Sequence, residues 1–124
     1  MSACRLALFA VALALGPAAH AAEFNPPPSC PADLLAVDNS FEETQARLDK
    51  VTKADKVEMC AAIKHHIEVM ANGINVYQRC QPPGHDKGEN IGQLGASIGD
   101  FLDINDAQGC ARFELPKIDW PEDE

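Results

Sequence analysis

The sequence predicts an all-α fold, a small antiparallel three-helix bundle stapled by two disulfides. Three observations predict it. Apolar residues recur at three- and four-residue steps through separate stretches, and nowhere do they alternate as in a strand. Residues 81–85 (QPPGH) force a turn between two of those stretches, because two prolines cannot continue a helix. Behind an export signal stand Cys30, Cys60, Cys80 and Cys110, an even set that reads as a disulfide framework.

The signal comes first in the chain. Arg5 gives a short positive segment, residues 6–15 are unbroken apolar, and Gly16-Pro17 interrupts the run before small residues at Ala19-His20-Ala21. The run is shorter than the roughly 20 apolar residues that a bilayer span needs. Residues 1–21 therefore read as a removable secretory signal peptide. The mature chain is expected in a bacterial periplasm or outside the cell, with no membrane span. Cys4 and His20 leave with the signal. Loss of Arg5 leaves nine basic against 19 acidic residues, a net charge of −10. Such a surface keeps a protein soluble and disfavours nucleic acid and anionic lipid.

Residues 22–39 read as an extended, proline-rich lead-in (NPPPSCP at 25–31) with a short helical turn through Leu34, Leu35 and Val37. Ser40 and Glu43 form a capping-box pattern. It opens a first helix over 41–51, with Phe41, Leu48 and Val51 inward. The second helix, over 54–79, carries the strongest periodicity. Val57, Cys60, Ile63, Ile67, Met70, Ile74 and Tyr77 make one apolar seam. Met59, Ala62, His66, Val69, Gly73, Val76 and Cys80 make a second, about 100° away. Two seams imply two neighbours, so this helix is central. Asp86, with Glu89 three residues on, is expected to cap a third helix ending near Asn105, whose core face is Ile91, Leu94, Ile98, Phe101 and Leu102. The stapled domain thus spans 40–110, and residues 111–124 form an irregular acidic tail containing Trp120.

Helix geometry selects the disulfide pairing. Cys60 and Cys80 on one continuous helix stand about 30 Å apart at ~1.5 Å per residue, whereas a disulfide needs α-carbons within roughly 7 Å. Folding the helices about the turns near Lys53 and Gly84 brings Cys30 to Cys80 and Cys60 to Cys110. Pairing Cys30 with Cys60 and Cys80 with Cys110 would put each bond across opposite ends of a helix.

Several patterns point to chemistry, and most fail on context. Gly95-Ala96-Ser97-Ile98-Gly99 matches the nucleophile-elbow pattern, but no strand precedes it and no histidine follows Ser97. No C-x-x-C occurs, which argues against a thioredoxin-like or c-type haem site. Asp103, Asn105 and Glu114 fall at EF-hand positions 1, 3 and 12, yet Ala107 and Gln108 replace a ligand and the required glycine. His66 on the second seam, with Met70 and Met59 nearby in phase, is the candidate soft-metal or haem ligand set. Gly88, Gly92, Gly95 and Gly99 form a stripe on the third helix. Close packing of that stripe against the second helix, or a loose helix held by Cys60–Cys110, is the favoured reading, and a partner groove is the alternative.

The functional expectation is a non-catalytic exported binding or interaction protein, chaperone-like or stress-protective, with a protein or peptide partner and no cofactor. A small periplasmic metal or haem carrier using His66 and Met70 is the first alternative. A secreted inhibitor or toxin-like effector is the second.

Overall fold

The computed structural model describes residues 23–51 and 55–122. The expected signal peptide, residues 1–21, lies outside them. Among the described residues there are three helices and no strand: α1 (Cys30–Lys50), α2 (Lys56–Cys80) and α3 (His85–Ala107). Among the described residues no helix is long and apolar enough to cross a membrane.

Helix α1 starts eleven residues before the capping box predicted it to. Pro31 lies in its first turn, where a missing N–H costs nothing and the fixed φ suits a helix. From there Leu34, Val37, Phe41, Thr44 and Leu48 continue one inward stripe without a break in phase. The polar run Asp38-Asn39-Ser40, which reads as a boundary in the sequence, lies along the helix flank, with Asp38 and Asn39 exposed. Among the described residues of the expected lead-in, only 23–29 remain outside the helix.

Helix α2 is capped by Asp55, whose carboxylate accepts the Glu58 N–H at 3.1 Å. It is central, as its two seams require. Helices α1 and α3 each pack on it, and their backbones do not meet one another. The first seam supplies Ile63, Ile67, Met70 and Ile74 to the main core with Ile91 and Ile98 of α3. Its predicted first member, Val57, is 82% exposed. The second seam supplies Val76 and Cys80 to a smaller core with Val37 and Cys30 of α1.

Each turn has its own chemistry. Gly84 precedes α3 with φ 151°, a conformation that side-chain-bearing residues rarely adopt. The predicted Asp86 cap is not used, because Asp86 already lies inside α3. Lys87 instead donates from Nζ to the Gln78 carbonyl at 2.7 Å, satisfying an acceptor near the end of α2. Helix α3 ends in a Schellman motif. Gly109 has φ 72°, its N–H donates to the Asp106 carbonyl, and the Cys110 N–H donates to Asn105, both at 3.0 Å. That reversal presents Cys110 to Cys60.

Both selected disulfides are present, Cys30–Cys80 and Cys60–Cys110, with α-carbons 5.3 and 5.5 Å apart. They fit an oxidising, exported compartment. Residues 110–122 form no regular element, yet Phe113, Leu115 and Ile118 return to pack on the main core.

Candidate binding groove between the flanking helices

Because α1 and α3 do not meet, α2 forms the floor of a groove between them. At Gly73 the groove is closed by side chains: the Phe41 ring and Leu94 converge there, 2.7 and 3.4 Å from where a β-carbon would stand. Beyond that closure lies an open cavity of about 390 Å³. Its floor is His66 and Met70, with Phe41, Glu42 and Gln45 of α1 on one wall and Leu94 and Ser97 of α3 on the other. The volume lies within the range of roughly 300–1,000 Å³ usual for small-ligand pockets, which are mostly apolar with a few polar groups.

The polar group here is His66, 6% exposed. Its Nδ1 lies 2.7 Å from Thr44 Oγ1. The Thr44 hydroxyl has a single proton, and it also faces the Ser40 carbonyl at 3.0 Å and the Phe41 carbonyl at 3.3 Å. Donating back to a helix carbonyl is the usual use of a mid-helix threonine hydroxyl. The hydroxyl oxygen must then accept, so Nδ1 carries the ring proton and Nε2 carries the lone pair. No buried side-chain nitrogen or oxygen among the described residues lacks a partner, and the hydrogen bond at this ring is made at Nδ1. Nε2 therefore retains some exposure, and His66 is one of the residues that line the groove. Burial, with a smaller contribution from neighbouring His65, lowers the His66 pKa below its ordinary value. The Phe101 ring contacts the imidazole edge-on, with centroids 4.7 Å apart. A neutral, oriented imidazole results.

Of the candidate metal ligands, His66 and Met70 share this groove, while Met59 packs against the main core and is not among its lining residues. Ser97 also lines the groove, on a helix rather than on a strand-to-helix turn. No hydrogen bond joins Ser97 to His66 among the described residues, and a nucleophile needs its base within hydrogen-bond reach. The EF-hand pattern does not form a loop. Asp103 and Asn105 lie within α3, and Asn105 is buried with its amide donating to the Ala111 carbonyl at 3.2 Å. His85 gathers with Asp86 and Glu89 in a fully exposed cluster.

The glycine stripe does not pack against α2, which corrects the close-packing form of the favoured reading and leaves the helix held by Cys60–Cys110. A β-carbon at Gly88, Gly92 or Gly99 would meet nothing within 4 Å. At Gly95 it would meet the Trp120 ring of the tail at 3.2 Å. The stripe lies outward because each of three glycines follows a core residue (Ile91, Leu94, Ile98) by one position, a rotation of about 100°.

Sequence reasoning missed Thr44 and the role of Trp120. Thr44 was detectable in principle: it occupies an apolar stripe in α1, as His66 occupies one in α2. Two polar residues in facing core stripes are a hydrogen-bond pair. No known protein family, curated protein or solved structure matches this chain.

Proposed function

We propose that this is an exported, non-catalytic binding protein whose groove between α1 and α3 receives an apolar part of a protein or peptide partner, in a chaperone-like or stress-protective role. The groove itself carries this reading. It is open and lined by Phe41, Met70 and Leu94, and it offers one oriented acceptor, His66 Nε2. Two disulfides hold the helices that form it, so little ordering is required when a ligand enters. The experiment uses the neutral apolar dye N-phenyl-1-naphthylamine and, in parallel, heat aggregation of citrate synthase followed by light scattering. Saturable dye binding and suppressed aggregation are expected, and both are lost in Ser97→Phe, which fills the groove from its α3 wall. Gly99→Ala, which meets open space, leaves them intact. Absence of saturable binding, or binding indifferent to Ser97→Phe, sinks the proposal.

One observation favours a second reading, a soft-metal or haem carrier. Metal-binding histidines are commonly fixed through the other ring nitrogen. Thr44 fixes Nδ1 here, and Met70 follows one turn later in the same groove. Titration with copper(I) or haem then gives a stoichiometric complex that disappears in His66→Ala. A titration without such a complex removes this reading.

A further inference from the structure

The tail crosses from α2 to α3 on a face separate from the groove, held by Ile118 against the main core and by two further contacts. The Asn75 side chain of α2 grips its backbone from both sides: Nδ2 donates to the Lys117 carbonyl at 2.9 Å, and Oδ1 accepts the Asp119 N–H at 2.7 Å. This is how a neighbouring strand would read an extended segment, through a carbonyl at one position and an N–H two residues later. The next residue, Trp120, then lies on Gly95, with ring carbons 3.2 and 3.3 Å from where a β-carbon would stand. Any other residue at 95 would intrude on that ring. The seat is only partly filled. Trp120 remains 53% exposed, and a cavity of about 490 Å³ is left among Gly88, Ile91, Gly92, Trp120 and Pro121. Ile91, at the bottom of this surface, is 3% exposed.

We propose that residues 117–122 are a displaceable latch, and that the seat beneath it binds an extended peptide segment bearing an aromatic residue. The seated tail defines the chemistry of that partner: a carbonyl at position i and an N–H at i+2 for Asn75, and an aromatic ring at i+3 for Gly95. Backbone hydrogen bonds with one side-chain pocket are a recurrent mode of peptide recognition. The latch competes for its own seat, and a short tether gives it an effective concentration in the mM range. An external segment therefore binds well only when the latch is released or out-competed.

The test uses a fluorescein-labelled peptide of sequence ELPKIDWP, identical to residues 114–121, and follows its anisotropy. Trp120→Ala empties the seat, and the peptide is expected to bind this variant about tenfold more tightly than the native chain, since the tethered competitor is gone. Adding Asn75→Ala or Gly95→Leu to Trp120→Ala abolishes the gain. A peptide with its tryptophan replaced by alanine does not bind. No binding to folded Trp120→Ala, or binding that survives Gly95→Leu, overturns the proposal. A second measurement does not depend on that variant. Trp120 is the sole tryptophan, so Gly95→Leu in the otherwise native chain must shift its emission to the red and raise its quenching by acrylamide. Unchanged emission would mean that Trp120 does not use the seat, and the latch falls with it.

Discussion

Replacing both Cys60 and Cys110 with serine is expected to lower the melting midpoint by about 15–30 °C. The bond joins positions 50 apart, so it closes a long loop in the unfolded chain. In the chain-entropy model a loop of that size contributes about 4 kcal/mol, and a domain of this length shifts by roughly 4–8 °C per kcal/mol. The location adds to the expectation. Helix α3 contains Gly88, Gly92, Gly95 and Gly99, each costing nearly 1 kcal/mol of helix stability relative to alanine. Three of them gain no packing at all in return. Cys110 follows α3 directly and ties it to the first turns of α2. Helical signal should therefore be lost from α3 first, which amide hydrogen exchange resolves residue by residue. Paired substitution of Cys30 and Cys80 opens a loop of equal length but frees α1, which has no interior glycine and keeps a continuous apolar stripe. Its exchange pattern should differ accordingly. A shift below about 5 °C on removing Cys60–Cys110 would show that packing alone holds α3.

What the sequence makes legible follows from what its residues constrain. Helix length and rise exclude Cys60–Cys80, and turns of known position then select the observed pairs. That argument needs only a ruler. The two seams of α2 likewise identify a central helix, because apolar positions on two faces require two neighbours. The start of α1 was not legible, because Ser40 and Glu43 satisfy a local capping pattern that the in-phase stripe through Val37 and Phe41 overrides. The glycine stripe failed differently. Spacing shows that Gly88, Gly92, Gly95 and Gly99 share a face of α3, but it does not say what covers that face. Trp120 lies 25 positions from Gly95, and nothing in the tail's composition announces where it returns. The groove was half legible. His66 and Met70 follow from periodicity, whereas the opening beside them exists only because α1 and α3 stand apart.

Thr44→Val is expected to cost about 1–3 kcal/mol, more than His66→Leu, although the histidine is the larger group. The hydroxyl oxygen accepts the His66 Nδ1 proton within the core, and valine of the same shape leaves that donor buried without a partner, whose desolvation is then uncompensated. Removing the imidazole orphans nothing, because the Thr44 hydroxyl still donates to the Ser40 carbonyl. Thr44→Ser, which retains the hydroxyl, should recover most of the loss. The same pair governs an acid response. Burial lowers the folded-state pKa of His66, so the unfolded chain takes up a proton there before the folded chain does. Its contribution is complete above the unfolded value of 6.5, declines as pH falls below it, and stops declining once pH passes under the folded value. Denaturant titrations from pH 7.5 downward should show this decline in the native chain, and His66→Leu should flatten that part of the curve. Two results would remove the neutral, threonine-held imidazole from the groove: a native chain with no decline below pH 6.5, or a Thr44→Val variant as stable as the native protein.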